Sequence, residues 1–228
     1  YIVLPAYLES KVIGQVIEDI KKEGFENIIV VDDGSKDDTY KIAEGKNVYV
    51  TKHLINRGKG AATQTGLDIS LQLGADITVT MDSDGQHNPK YIRSLVKPII
   101  EDKADVTIGA RLENRNDMPS SRRLMNSIAN FITWIFFGVY VNDSQSGFRA
   151  YRKEALERVY TYMDRYEFES EMLGAIKKAN LKLLEVPIEV IYTDHSKNKY
   201  KGSPKTISQG FINGITMFIR LLENSIFT

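Results

Sequence analysis

Three short apolar segments, at residues 1–4, 27–31 and 77–81, each run straight into a polar cluster that is followed by helical periodicity. No other feature constrains the fold of this 228-residue chain as much. Four or five apolar residues are too few for a buried helix and suit a strand covered on both faces. Between the first two segments, residues 10–23 place Val12, Ile13, Val16, Ile17 and Ile20 on one helical stripe. The pattern predicts a short helix at 37–44, a third strand at 48–50 and a small-residue helix at 58–73. It then predicts a helix at 89–101, with Pro89 in its first turn, and a fifth strand at 106–108. Strands and helices alternating across short polar loops imply an α/β, Rossmann-like, mostly parallel sheet flanked by helices. Ligands of such sheets bind beyond the carboxyl ends of the strands. The clusters at 5–9, 32–35 and 82–86 are therefore expected to share one crevice.

The second half is less regular. Residues 122–141 read as a helix, and 134–141 contain no charged side chain. A strand is expected at 147–151, a helix at 167–178, and a strand at 183–192 interrupted by Pro187. A lysine-rich loop at 193–205 leads into a last helix at 206–227, whose polar residues Gln209, Asn213, Thr216, Arg220 and Glu223 share one narrow stripe. This divides the chain into an α/β domain at 1–192 and a basic loop with an amphipathic, membrane-proximal helix at 193–228. The apolar helices suit a membrane interface, or else packing on the sheet or in a homo-oligomer. No stretch reaches the 18 apolar residues of a membrane span. The chain starts without Met in what reads as a strand already under way, so further residues are expected before it. Thirty basic residues balance thirty acidic ones, which argues against a nucleic-acid binder working through bulk charge. With no cysteine, thiolate metal sites and disulfides are excluded.

The sharpest motif is Asp82-Ser83-Asp84-Gly85-Gln86. In an extended segment, residues two apart point the same way, so Asp82 and Asp84 would aim two carboxylates at one point, with the Gln86 amide beside them. All-oxygen donors suit Mg²⁺ or Mn²⁺, while a solvated acidic turn is the other reading. An EF-hand does not fit, because Arg93 stands where its twelfth-position Glu would be. Asp32-Asp33-Gly34-Ser35 can accept hydrogen bonds from a ribose or base, or can serve as a turn and helix cap. Asn56-Arg57-Gly58-Lys59-Gly60 opens a helix, a setting that favours anions, although the GxxxxGK[ST] pattern is absent. Basic residues recur at Arg111, Arg122, Arg123, Arg149 and Lys205. His53, His87 and His195 show no metal-ligand spacing, and there is no GxSxG nucleophile.

Taken in order, Pro5-Ala6-Tyr7-Leu8-Glu9, Val31-Asp32-Asp33-Gly34-Ser35, Asn56-Arg57-Gly58-Lys59-Gly60, Asp82-Ser83-Asp84-Gly85-Gln86-His87 and Ser146-Gly147-Phe148-Arg149 resemble the motifs of family 2 glycosyltransferases of the GT-A fold. Within that family the chain is most similar to the dolichol-phosphate mannose synthase and polyprenyl-phosphate glucosyltransferase branch. The resemblance implies that Pro5, Ala6, Tyr7, Glu9, Asp32 and Asp33 line the nucleoside, with Lys59, Asp82, Ser83 and Asp84 completing the nucleotide-sugar site. It implies Asp82, Asp84 and Gln86 as ligands of Mg²⁺ or Mn²⁺. It implies Arg111, Arg123 and Arg149, with Ser146 and Lys205, around an acceptor phosphate. The catalytic set would be Asp84, Arg111, Arg123 and Arg149. The QxxRW motif of processive polysaccharide synthases is missing, since the single tryptophan, Trp134, follows Thr133.

The implied reaction moves a sugar, with inversion, from a nucleotide diphosphate sugar (GDP-mannose or a UDP-sugar) to a polyprenyl or dolichyl phosphate at the cytoplasmic face of a membrane. A phosphate monoester ionises near pH ~6 and needs no strong protein base. Three rivals remain open. A transferase acting on a sugar hydroxyl would need a base, for which Asp143, Glu169 or Glu171 would serve. A sugar nucleotidyltransferase would show a glycine-rich loop after the first strand, and residues 1–9 contain no glycine. An inactive nucleotide-sugar-binding protein would keep the fold without turnover.

Overall fold

The computed structural model describes residues 1–111, 120–161 and 167–191, apart from the side chains of residues 120–123 and 125. The first strand β1 (Ile2–Ala6) leads to α1 (Ile13–Lys22), β2 (Ile28–Asp32), α2 (Thr39–Glu44), β3 (Tyr49–Lys52) and α3 (Lys59–Gln72). Next come β4 (Ile77–Thr80), a 3₁₀ turn at Pro89–Tyr91, α4 (Ile92–Ile100) and β5 (Val106–Ala110). The second half supplies α5 (Ser120–Phe137), β6 (Arg149–Arg152), α6 (Lys153–Leu156), α7 (Phe168–Lys178) and β7 (Leu183–Pro187). The seven strands lie in the order β3-β2-β1-β4-β6-β5-β7. All pairings are parallel except those of β6, which runs antiparallel to both β4 and β5. This is the expected mostly parallel sheet between helices.

Every residue of β1, β2 and β5 is buried, as a strand covered on both faces requires. On one face Leu4, Val30, Met81 and Phe148 pack with Ile13 and Ile17 of α1 and Leu95 of α4. On the other, Val3, Ile29 and Val31 meet Ala62 of α3. Further along that chain, Val106, Ile108 and Tyr151 pack with Leu67, Met172 and Leu173. The small residues of α3 have a mechanical purpose. A Cβ on Gly66 would overlap the Val3 side chain, so the helix rides closer to β1 than any larger residue permits.

Two boundaries differ from the sequence reading for local reasons. The helix expected at 122–141 stops at Phe137, because Gly138 takes a positive φ of 62°. Its carbonyl accepts a 2.8 Å bond from Lys177 of α7. The strand expected at 183–192 stops at Pro187, which lacks a ladder N–H. The expected loop and helix at 193–228, Lys205 included, lie outside the described residues.

The antiparallel strand matters for function. Arg149 pairs with Thr80 and Arg152 with Ile77. The start of β6 therefore lies beside the carboxyl end of β4, and Ser146–Phe148 arrive where Asp82 leaves. The tight seat of Gly66 gives a measurable expectation. Gly66→Ala gains up to about 1 kcal/mol of helix propensity. Overpacking against Val3 costs about 1–3 kcal/mol. Urea denaturation is expected to show a net loss of about 1 kcal/mol, and a gain would contradict the close α3–β1 packing.

Candidate active site

The crevice is assembled around carboxylates that emerge from strand ends, and each is held by the protein in a different way. Asp33 follows β2 and is buried. Its Oδ1 accepts from the backbone N–H of Arg57 at 2.9 Å, and its Oδ2 from that of Gly58 at 2.7 Å. His53 Nδ1 lies 2.8 Å from the same Oδ1, and the other ring nitrogen is 3.0 Å from Thr65 Oγ1. One carboxylate thus fastens the loop after β3 and sits at the positive end of α3. Gly34 is required here twice over. Its φ is 75°, and a Cβ would come within 2.7–2.8 Å of the Ile55–Asn56 backbone.

Asp32 is also buried. Its Oδ1 accepts from Ser35 N at 2.9 Å, and its Oδ2 lies 3.3 Å from Lys52 Nζ. Of the expected nucleoside set Pro5, Ala6, Tyr7, Glu9, Asp32 and Asp33, Tyr7 alone is exposed, at 40%. Its neighbour Leu8 takes a left-handed φ of 57° and donates its N–H to Ser35 Oγ at 2.9 Å. The backbone of Glu9 is held in turn by Thr39 Oγ1 at 2.9 Å.

The Asp82–Gln86 segment corrects the geometry expected from sequence. It is a turn about residues 83–85, with Gly85 at φ 76°, and not an extended strand end. The two carboxylates consequently have separate partners. Asp84 accepts from the Gln86 backbone at 3.0 Å and from its side-chain amide at 2.7 Å. Buried Ser83 donates to the Pro5 carbonyl at 2.7 Å and ties the turn to β1. Asp82 Oδ1 lies 2.7 Å from Lys59 Nζ, and its Oδ2 lies 3.4 Å from His87 Nε2. Lys59 also reaches Glu169 Oε1 of α7 at 3.0 Å. Burial opposes the Asp82 charge, but Lys59 and His87 outweigh it and hold this carboxyl well below the ordinary range. Burial likewise opposes the Lys59 charge, but Asp82 and Glu169 together hold the ammonium above its ordinary value.

Arg149 stands behind this cluster, only 1% exposed. It donates to the carbonyls of Ser146 at 2.8 Å, Ser144 at 2.8 Å and Glu169 at 3.1 Å. The structure gives it a supporting position rather than an open one. Ser146 is buried as well, its Oγ accepting from Phe148 N at 3.4 Å. Arg111 engages Asp143 in a two-point pair, Nε to Oδ2 at 2.5 Å and Nη2 to Oδ1 at 2.7 Å. The side chain of Arg123 and all of Lys205 lie outside the described residues. The Lys59–Glu169 contact joins residues far apart in the chain, and no local pattern announces it.

Among the described residues no three His, Asp or Glu side chains converge as a metal site. The available donors are the carboxylates of Asp82 and Asp84 and the Gln86 amide. That set fits a hard divalent cation that completes its shell from substrate phosphate and water, the usual arrangement for Mg²⁺.

Comparison with known proteins agrees with these motifs. The family model described as "Glycosyl transferase family 2" matches residues 1–160. A UDP-N-acetylglucosamine–dolichyl-phosphate N-acetylglucosaminyltransferase of Methanococcus voltae is 41% identical over 218 residues, covering 86% of this chain and 87% of that protein. A polyprenol monophosphomannose synthase of Mycolicibacterium smegmatis is 31% identical over 189 residues, covering 78% of this chain and 71% of that one. The structure of glucosyl-3-phosphoglycerate synthase from Mycobacterium tuberculosis, in complex with Mn²⁺, UDP and phosphoglyceric acid, aligns with a TM-score of 0.63 at 19% identity. It covers 93% of this chain and 77% of that one, which shows a shared fold.

The role of Asp33 is open to direct test. Asp33→Ala leaves the Arg57 and Gly58 N–H groups without their acceptor, at up to about 1–3 kcal/mol for each of these half-buried bonds. The expected result is a loss of about 3 kcal/mol of stability, with faster amide hydrogen exchange at Arg57 and Gly58. Unchanged exchange at those two amides would show that the loop is held by other contacts.

Proposed function

The chain belongs to glycosyl transferase family 2, and we propose that it transfers a sugar from a nucleotide diphosphate sugar to a polyprenyl or dolichyl phosphate. The observation that carries this reading is the state of two of the three candidate bases, Asp143 and Glu169; the third, Glu171 of α7, is half-buried. Asp143 is bound at two points by Arg111, and Glu169 is buried against Lys59. Neither is placed as the general base that a sugar hydroxyl would require. A phosphate acceptor needs none, being largely ionised above pH ~6. The names of the Methanococcus and Mycolicibacterium relatives, both transferases to a polyprenyl-type phosphate, support the same acceptor. The donor is GDP-mannose or a UDP-sugar, and the name of the 41% identical relative favours the UDP-linked class.

In this reading Pro5, Ala6, Tyr7, Glu9, Asp32 and Asp33 shape the nucleoside pocket, most of them through backbone held by their own buried hydrogen bonds. Asp82, Asp84 and Gln86 hold a divalent ion, Mg²⁺ or Mn²⁺, which when bound neutralises charge on the departing diphosphate. The Mn²⁺ and UDP of the Mycobacterium structure support that assignment. Arg111 and Arg123, with Ser146 and Lys205, receive the acceptor phosphate, and Arg149 keeps the 144–146 loop in place for them. A phosphate oxygen attacks the anomeric carbon, forming the new C–O bond as the bond to the diphosphate breaks. The configuration inverts and the nucleoside diphosphate leaves. Positioning and preset charge supply the rate.

A lipid acceptor calls for a surface that meets a bilayer. No helix among the described residues is long and apolar enough to cross one. Helix α5 instead exposes Leu124, Phe131, Trp134 and Ile135, with Tyr140 just beyond it. We assign this face, with Lys197, Lys199, Lys201 and Lys205, which lie outside the described residues, to peripheral contact at the cytoplasmic surface, where each basic residue contributes about 1 kcal/mol.

Two measurements test this reading. Labelled GDP- and UDP-sugars with a short polyprenyl phosphate are expected to yield label in the lipid phase with Mn²⁺ and none with EDTA. Asp84→Ala is expected to lower kcat/KM by about 100-fold or more, the scale of losing an electrostatic stabiliser. Transfer only to a hydroxyl acceptor would select the rival. Trp134 is the sole tryptophan and is 50% exposed, so its emission reports on α5 alone. A blue shift on adding anionic vesicles is expected, and an unmoved spectrum would take α5 off the membrane.

A further inference from the structure

The carboxylate of Asp82 faces the crevice through a cation that the protein itself supplies. Lys59 Nζ lies 2.7 Å from Asp82 Oδ1 and 3.0 Å from Glu169 Oε1, between two carboxylates that belong to different halves of the chain. The contact with Asp82 is a close ion pair, and Lys59 is the cation nearest that carboxylate. Glu169 is buried, and its second oxygen, Oε2, has no hydrogen-bond partner. Beside them lies a cavity of about 10 Å³, lined by Lys59, Asp82, Gly147, Arg149 and Glu169. It is roughly the room one water or one ammonium needs to shift. Gly147 keeps that room open. A Cβ there would lie 2.6 Å from Asp82 Oδ1 and 2.7 Å from Lys59 Nζ. Its carbonyl is pinned by Thr80 Oγ1 at 2.8 Å, so the backbone cannot easily retreat.

We propose that Lys59 is a resident counter-cation for Asp82 with Glu169 as its second seat, so that the divalent ion gains Asp82 only when it arrives with the donor diphosphate. This rests on the reading of Asp82 and Asp84 as the ion site. In the donor-free enzyme the ammonium neutralises Asp82, and Asp84 with Gln86 forms a poor site alone. Two carboxylates hold such an ion well only when phosphate oxygens join them. When the diphosphate brings its own ligands, Lys59 turns fully to Glu169, whose unpartnered oxygen accepts it. No buried carboxylate is left bare in either state, which is the condition for the exchange to be cheap. Lys59 and Glu169 act through Asp82, so both are positioning residues.

The test is Mn²⁺ binding, read by electron paramagnetic resonance on the purified chain, alone and with saturating UDP or GDP. Lys59→Met is expected to bind Mn²⁺ alone about tenfold tighter than the parent, a shift within the usual range of coupling between sites. With nucleotide present the two proteins should bind alike. Glu169→Gln, nearly isosteric, is expected to show the converse, with Mn²⁺ weakened mainly when nucleotide is present, because the ammonium then has no second seat. An equal shift with and without nucleotide in both variants would indicate a simple field effect and overturn the exchange. So would an unchanged Lys59→Met, with the metal assignment left standing. If Lys59→Met does not fold, Glu169→Gln decides, and unaltered Mn²⁺ affinity with nucleotide overturns the proposal. Parent protein that binds no Mn²⁺ with either nucleotide, yet still transfers sugar in EDTA, would remove the ion site itself and the lysine's role with it.

Discussion

The placement of the whole site depends on where α3 begins, and the buried Asp33 carboxylate decides that. By accepting from the backbone of Gly58, the N-cap, and of Arg57 just before it, this carboxylate fixes the two residues that lead into the helix. It also puts a negative charge at the positive end of the helix dipole. Lys59 is the first residue of the helix so fixed. Gly66, two turns on, lets α3 lie almost on β1. An amine set on a rigid helix at this height reaches both Asp82 from β4 and Glu169 from α7. The same lysine on a mobile loop would not hold two contacts near 3 Å against the rotamer entropy it loses.

The second determinant is the direction of β6. A parallel strand between β4 and β5 would deliver its first residues to the opposite edge of the sheet. Running antiparallel, it brings Ser146, Gly147 and Phe148 to the carboxyl end of β4. Gly147 then passes close over the Asp82–Lys59 pair, and Arg149, buried two residues later, ties the 144–146 loop to the start of α7. The turn after β4, the 144–146 loop and the start of α7 are thus joined through a few polar contacts in place of a flexible hinge.

How much of this the sequence displays follows from the range of each interaction. β1, β2, β4 and β5 are legible, since an apolar run ending in a polar cluster is a local signal with few alternatives. The direction of β6 is not, because alternation with period two reads the same both ways. Asp82 and Asp84 are conspicuous, but Gly85 turns the backbone between them and gives them different partners, and spacing alone does not reveal that. Asp33 stands out as an acidic residue at a strand end. That its oxygens serve backbone amides two dozen residues later depends on how the loop folds back. The pairing of Lys59 with Glu169 has no local signature, since two helices from different halves create it. Arg149 is visible as a basic residue in a motif, while its burial behind the crevice depends on the tertiary packing of α7.

A common principle runs through these contacts. Four acidic groups at the crevice have a cationic or imidazole partner: Asp32 with Lys52, Asp33 with His53, Asp82 with Lys59 and His87, Asp143 with Arg111, whereas Asp84 is held by the Gln86 amides. A buried charge left alone would cost several kcal/mol, so a site that, in the proposed reading, receives a diphosphate, a phosphate and a divalent ion is best built from pairs that can be exchanged. In the proposed reading Arg111 leaves Asp143 for an acceptor phosphate, and Lys59 leaves Asp82 for Glu169. The net charge of the site then changes little from one state to the next. A general base would require a carboxylate free to take a proton, and such a group would compete with the substrates for these same cations. The proposed phosphate nucleophile makes that group unnecessary, and the paired arrangement of Asp143 and Glu169 is compatible with such chemistry.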